Sequence, residues 1–364
     1  MMWIVNAHQA PEFLVEVNQK IVQFLIENDA HAHVMDFFSP QTRQILDEFL
    51  GDVSFSPQQQ TFDWLLYDQE YARLPNQTAI PLFIVFEKEG RPDAIWSLFF
   101  RSQEGINEMG TASLPIQPPL IRSSVSPKNA QQIIRTCLDL GNFLAKVYCK
   151  GQWSSSEYGP NQTGLSYWYS ESRIRGASCR LESHLYVDLS LTDDEYRTRI
   201  RRRNRTTISS GLKMWKPIIY IGSNPLHWDE FRELHYYVSG RATRSKETWD
   251  IQYDMIEAGN AFAVLLRDEK AELVGGLLIA HSQDEGIYVS GAFNRTLNDQ
   301  PLGHIAQWAG IQELKRREVK WYKLGERPYL STGEKPDDKI FTIAHFKEGY
   351  ATHSFPHIHY VHTA

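Results

Sequence analysis

Six consecutive pieces of the chain decide its fold: AFAVLLRD (261–268), ELVGGLLIAHS (272–282), GIYVSGAFN (286–294), PLGHIAQWAGIQELKRRE (301–318), VKWYKLGE (319–326) and DDKIFTIAHFKEG (337–349). The first three are rich in Val, Ile, Leu, Phe and Tyr. Short polar turns such as Asp268-Glu269-Lys270 separate them. That pattern predicts a meander of antiparallel strands. A long helix then returns the chain to a further strand, and a last helix follows. An antiparallel sheet that gains a crossover helix is a mixed α+β layer, open at the crossover. Such openings often hold acyl or nucleotide substrates.

Similar order recurs upstream. The runs VEVNQKIVQFLIEN (15–28) and SPQTRQILDEFLG (39–51) carry helical patterns. IPLFIVFEKEG (80–90) and AIWSLFFRS (94–102) read as a hairpin with its turn at Gly90-Arg91-Pro92-Asp93, followed by an extended piece, LPIQPPLIRS (114–123). KNAQQIIRTCLDLGNFLAKVY (128–148) then reads as an amphipathic helix with Ile133, Cys137, Leu140 and Leu144 on one side. Hairpin, strand and helix therefore occur twice, which predicts two copies of one fold. Between the copies, residues 151–183 are rich in Ser, Gly and aromatics. They read as a surface loop or as a lid whose tyrosines line a cleft.

A chain of 364 residues suggests two domains or one large one. With 42% hydrophobic residues it can bury full cores. A net charge of −6 argues against a general nucleic-acid binder and leaves room for a local basic patch. Cys137, Cys149 and Cys179 have no metal-type spacing, and their odd number fits a reducing cytoplasm. The first residues show no secretory leader pattern, and no apolar run reaches the roughly 20 residues that span a bilayer. The expected location is cytoplasmic.

A basic run supplies the local patch. Leu185, Val187 and Leu189 alternate with polar residues, as in a half-buried strand. Thr192 and Glu195 have capping-box spacing, with Asp193 and Asp194 in the first turn, so one helix is expected from here. Arg197, Arg199, Arg201, Arg202, Arg203 and Arg205 follow. At about 3.6 residues per turn they cannot share a face. Arg201 and Arg205 align with Ile208 and Leu212, so their stems point inward. Arg199 and Arg202 point elsewhere. The run is either a solvated helix or a set of guanidinium forks for phosphate or carboxylate.

In the last piece, Asp337 and Asp338 suit a helix start, and Ile340, Ile343, Ala344 and Lys347 fall on one stripe. A lysine there either snorkels to water or points into a cleft, where its ammonium can stabilise an oxyanion. The histidines at 353, 357, 359 and 362 lack a matching acid or Cys cluster, so no metal is expected. Gly-x-Ser-x-Gly, His-Glu-x-x-His and P-loop motifs are absent.

These residues resemble a known group. RRRNRTTISSGLK (201–213) is similar to the basic helix of the Fem family of peptidoglycan-bridge aminoacyltransferases. IYVSGAFN with HIAQWAGIQELKRREVKWYKLGE resembles its tyrosine strand, Trp-containing helix and following strand. HFKEGYA resembles its Phe-Lys element. A looser relative is the acetyltransferase-like domain found in polysaccharide operons; both are GNAT folds. The resemblance covers about 184–352 and is architectural before that. It implies an α+β chain of tandem GNAT-like domains, 1–178 and 179–364, with mixed, mostly antiparallel sheets flanked by helices.

It also implies an acyltransferase of cell-envelope biosynthesis in bacteria, with no tightly bound cofactor. The acyl donor is aminoacyl-tRNA and the acceptor an amine, and a nucleotide sugar is one possible carrier. Carried over residue by residue, Lys347 serves the oxyanion and Phe346 belongs to the same element. Tyr288 and Gly291 match the tyrosine strand, and Trp308 its helix. Arg205 matches the basic helix, with Arg199, Arg202 and Arg203 beside it for a polyanion. Glu326 stands where relatives carry Asp, and Tyr288 or Glu326 would relay the amine's proton. NRTLNDQPLG (294–303) lacks the Gln/Arg-x-x-Gly-x-Gly/Ala loop that holds CoA pyrophosphate, and the long coiled-coil insertion of some Fem enzymes is missing. Two alternatives stand beside this reading: an acyl-CoA-dependent N-acyltransferase acting on a nucleotide sugar or polysaccharide amine, and a non-catalytic GNAT-like binding subunit.

Overall fold

The computed structural model describes residues 12–71, 77–103, 106–110, 115–160, 166–328 and 338–364. Asp337 lies outside the described residues. The chain divides into two compact units. One holds Met1–Phe55, Gln60–Leu181 and Pro356–Ala364; the other holds Ser56–Gln59 and Glu182–Phe355.

In the first unit, α1 (Glu12–Glu27), β1 (Ala32–Asp36), α2 (Pro40–Leu50) and α3 (Phe62–Tyr71) precede a meander. β2 (Gln77–Lys88), β3 (Arg91–Gln103) and β4 (Ile106–Met109) pair antiparallel in that order, β1 lies on the far side of β2, and the short β5 (Leu120–Ile121) pairs with β3. The hairpin turns earlier than the Gly-Arg-Pro-Asp signal suggests. Glu89 and Gly90 take positive φ, 54° and 76°, and the strand resumes at Arg91. α4 (Pro127–Tyr148) starts at a Ser126 cap with proline in its first turn, which suits both residues. Its buried face carries Ile133, Cys137, Leu140 and Leu144. Each aliphatic side chain hidden this way stabilises by about 1.5–3 kcal/mol.

Residues 151–183, which composition reads as a loop or lid, are largely regular. β6 (Gln152–Tyr158) is a strand, α5 (Tyr167–Ile174) a helix capped by Ser166, and β7 (Ser178–Asp188) follows. Residues 161–165 lie outside the described part. The serines mislead because Ser155 and Ser156 are buried, and Ser155 is bonded. Ser155 Oγ pairs with His362 Nε2 at 2.7 Å and accepts from Trp168 Nε1 at 3.1 Å. His362, stacked 4.0 Å from Trp153, has its pKa lowered to about 4, chiefly by burial.

In the second unit, the single helix expected from Thr192 is two. The capping box forms, with Glu195 Oε2 accepting from Thr192 N at 2.8 Å. α6 (Asp193–Arg199) then stops at Ile200, which is extended and buried, and α7 (Arg202–Met214) starts anew. Burying Ile200 in the core outweighs helical continuity. β8 (Ile218–Tyr220), α8 (Pro225–Ser239) and α9 (Lys246–Glu257) occupy a stretch for which the sequence reading has no element. β9 (Ala261–Arg267), β10 (Leu273–His281) and β11 (Glu285–Phe293) form the expected antiparallel meander. α10 (Leu302–Arg316), β12 (Trp321–Arg327), α11 (Asp338–Glu348) and β13 (His353–Thr363) complete the chain. The unit's sheet order is β7-β12-β11-β10-β9-β8. The last residues of β13, from Pro356 on, belong to the first unit and pair there with β6. In both units a meander leads through a long helix, α4 or α10, to a further strand.

Candidate active site

The second unit's sheet opens where β11 and β12 meet. They pair in parallel over only three positions, Glu285 with Trp321, Gly286 with Tyr322 and Ile287 with Lys323. Beyond Ile287, β11 continues against β10 while β12 continues against β7. Among the described residues each strand is therefore unpaired on the other's side, the crossover opening that the sequence pattern implies. A bulge marks the same place on β11. Ile279 faces Tyr288 and Leu278 faces Ser290, so Val289 is the extra residue. Bulges re-aim side chains, and this one brings Tyr288 and Gly291 to the same place. A Cβ on Gly291 would lie 2.4 Å from Tyr288 Oη, so only glycine leaves room for the ring.

Lys347, in the last turn of α11, reaches this ring: its Nζ lies 4.4 Å from the Tyr288 centroid. A second glycine makes the space. Gly325 on β12 has φ +129°, and a Cβ there would sit 3.0 Å from Lys347 Nζ. Burial lowers the Lys347 pKa to about 8, and the Glu326 carboxylate works against that lowering. Burial pushes Tyr288 up to about 12. Glu326 itself is 62% exposed, with an oxygen 3.8 Å from His184 Nε2.

Three contacts hold α11's end in place. Glu348 accepts from Arg201 Nη2 at 2.7 Å and from Arg327 Nε at 2.9 Å, tying α11 to the start of α7 and the end of β12. Arg201 N donates to Gly349 O at 3.2 Å. The inward stem expected of Arg201 is thus an ion pair that positions the neighbour of Lys347.

Phe346 packs on the rings of His304 at 5.1 Å and Tyr350 at 5.4 Å, and lies 3.6 Å from where a Gly303 Cβ would be. His304 Nδ1 hydrogen-bonds Tyr350 Oη. Burial and the nearby charge of Arg203 lower the His304 pKa, which favours neutral imidazole. Sequence reasoning missed His304, Gly325 and Glu348. Gly-Glu-Arg-Pro (325–328) carries a turn signal, but β12 runs through Arg327 and holds Gly325 at φ +129° inside the strand; the role of Glu348 depends on two residues distant in sequence.

The other expected residues divide. Arg199, Arg202 and Arg203 are exposed and Arg205 is half-buried; none of the four makes an ion pair among the described residues. They remain available to an anion. Trp308 is a correction. It is buried in the core, 6.0 Å from Tyr196, with the Arg197 guanidinium 4.4 Å above it, so it has no surface to offer a substrate. The apolar stripe that singled out Lys347 is also corrected. Ile340 and Ile343 are 51% and 45% exposed, and only Ala344 is buried. Lys347 faces inward because it sits at the helix end beside β12.

The fold is shared with several solved structures. FemX aligns with a TM-score of 0.64 at 14% identity, over 86% of this chain and 95% of that one. L-PGS from Bacillus licheniformis gives 0.53 at 11%, covering 88% and 91%. A tandem GNAT protein from the clavulanic acid biosynthesis pathway gives 0.50 at 11%, covering 91% and 98%. No protein-family model and no curated protein matches the chain. The architecture is therefore α+β with tandem GNAT-like units and mixed, mostly antiparallel sheets, the fold of Fem-type and tandem GNAT proteins. At these identities the likeness is one of fold.

Proposed function

We propose that this chain is an acyltransferase that forms an amide, moving an aminoacyl group from aminoacyl-tRNA to an amine on a cell-envelope precursor or small molecule. The observation that carries this reading is the Lys347 ammonium set over Tyr288, beside Gly325, where β11 and β12 part. The choice of donor rests on the resemblance of the Phe-Lys element and basic helix to those of the Fem family. The donor reaches the chain as a substrate, and no bound cofactor is required.

The neutral acceptor amine attacks the ester carbonyl carbon. The carbonyl oxygen becomes an oxyanion, which Lys347 stabilises. The C–O bond to the ribose then breaks, the ribose hydroxyl leaves with a proton, and the amide remains. Glu326, exposed beside the ammonium, or Tyr288 carries the amine's proton away. Tyr288 starts as the neutral phenol, since burial holds its pKa near 12. Phe346 and Gly291 shape the cleft, and Arg199, Arg202, Arg203 and Arg205 meet the donor's phosphates. Much of the rate comes from holding the two substrates together. In this reading the two GNAT-like domains are 1–178 and 179–364, and the protein works in the cytoplasm with its tRNA donor. No helix among the described residues is long and apolar enough to cross a membrane.

The test offers purified protein labelled aminoacyl-tRNA and, separately, labelled acetyl-CoA, with nucleotide-sugar peptides and polysaccharide amines as acceptors. Amide product from the tRNA donor supports the proposal. Product from acetyl-CoA alone replaces the donor with acyl-CoA. Donor binding with no transfer or hydrolysis of either label would make the chain a binding subunit.

A further inference from the structure

A second concavity in the same unit shares no residue with the Lys347 cluster. It lies between the C-terminal half of α8, the 240–245 connection and the start of α9, with a volume of about 390 Å³. That is within the range of small-molecule sites, roughly 300–1,000 Å³.

Its lining is cationic in a chain whose net charge is −6. Arg232, Arg241, Arg244 and Lys246 face one carboxylate, Glu233. Two of these cations are neutralised nearby, Arg232 by Asp229 at 3.0 Å and Lys246 by Asp250 at 2.6 Å. Arg241 is exposed and makes no ion pair among the described residues. The Thr243 hydroxyl is buried in the lining and has no hydrogen-bond partner among them. A fork and a hydroxyl left without acceptors are what an oxyanion satisfies.

The remaining walls are flat. Trp249 is buried, the Arg244 guanidinium lies 4.5 Å above its ring, and His235 meets its edge at 5.3 Å. Burial, and then the charge of Arg244, disfavours the charged form of His235, so the imidazole adds a neutral face. Tyr236, largely exposed, supplies a further ring on the rim. Planar surfaces of this kind stack bases.

From this combination we propose that the α8–α9 cavity binds a nucleotide: a small molecule whose phosphate is held by Arg241 and Thr243 and whose flat ring lies against Tyr236 and Arg244. The site is independent of the acyl-transfer reading, because no residue placed in that reaction lines it.

The probes are uridine 5′-monophosphate and adenosine 5′-monophosphate, titrated calorimetrically into the full chain, with uridine, adenosine and inorganic phosphate as controls. Binding in the micromolar to low-millimolar range is expected for the nucleotides, with tenfold or greater weakening when phosphate or ring is absent. Arg241→Ala and Tyr236→Ala change exposed side chains, so both variants fold, which the melting temperature checks. Each is expected to weaken nucleotide binding at least tenfold, and neither alters acyl transfer without added nucleotide. Absence of binding at 10 mM of both nucleotides overturns the proposal. So does binding that both variants leave unchanged, since the nucleotide then occupies another site.

Discussion

Replacing Lys347 with methionine tests the proposed chemistry most directly. The lysine pKa falls from 10.5 to about 8 because Nζ is buried against Tyr288 and β12. That lowering corresponds to about 3 kcal/mol set against the ammonium in the free protein. At pH 7 the side chain is still about nine-tenths protonated, since its pKa lies one unit higher. An oxyanion placed beside Nζ supplies the counter-charge that the site lacks, so the ammonium is stabilised most in the transition state. Loss of one such donor typically lowers the turnover rate about 10²–10³-fold. Methionine keeps the apolar stem, and its sulfur retains a favourable contact with the Tyr288 ring. Removing a half-buried charge therefore leaves the melting temperature unchanged or higher. The assay is single-turnover acyl transfer with saturating donor, beside donor affinity and thermal midpoint. A folded mutant with wild-type donor affinity and a rate within about twofold of wild type would refute the reasoning.

Three further outcomes follow from the same geometry. As pH rises through about 8, Lys347 loses its proton; kcat/KM should show a descending limb there that vanishes in Lys347→Met, whereas an ascending limb lost in the mutant would make the neutral amine a base. Gly325→Ala places a β-carbon at φ +129°, 3.0 Å from Nζ, so it should lower stability by about 1–3 kcal/mol and reduce transfer as well, measured by denaturant unfolding and initial rates; unchanged stability would contradict the strained backbone. Changing Arg199, Arg202 and Arg203 together to Ala should weaken tRNA binding and flatten its dependence on salt while moving the melting temperature little, because exposed charges contribute little to folding; tRNA affinity equal to wild type at every salt concentration would remove these residues from the donor site.

The second unit was legible because its elements announce themselves locally. The meander is a series of strand-length apolar runs, short polar turns divide it, and the capping box at Thr192 forms as its spacing predicts. Legibility fails where tertiary contacts set the local state. Ser155 of β6 looks solvent-loving until Trp168 and His362 bond it. The arginine-rich run looks like one helix until the core claims Ile200. At the site, the Phe-Lys pair and Tyr288 could be singled out by resemblance. The bulge at Val289 could not, because it carries no local turn signal, and Gly-Glu-Arg-Pro (325–328) signals a turn where the chain runs on as a strand with Gly325 at positive φ.

The contrast between two lysines shows why Lys347 is the one to carry chemistry. Lys323 also has a pKa lowered to about 8 by burial, so a perturbed pKa alone does not select between them. Lys323 is buried among protein groups. It donates to Gln59 Oε1, and the buried Glu285, whose charge favours its ammonium, accepts from Tyr186 Oη at 2.6 Å and from Gln58 N at 3.0 Å. A buried charge held by such partners is costly to disturb. Lys347 is only half-buried; its ammonium lies 4.4 Å from an aromatic face, and the Glu326 carboxylate that favours its charge turns to solvent. A ring face attracts the ammonium weakly, by about 0.5–2 kcal/mol, and Nζ makes no hydrogen bond among the described residues. A similar lowering of pKa therefore belongs to a structural tie at one lysine and to a group ready for an anion at the other.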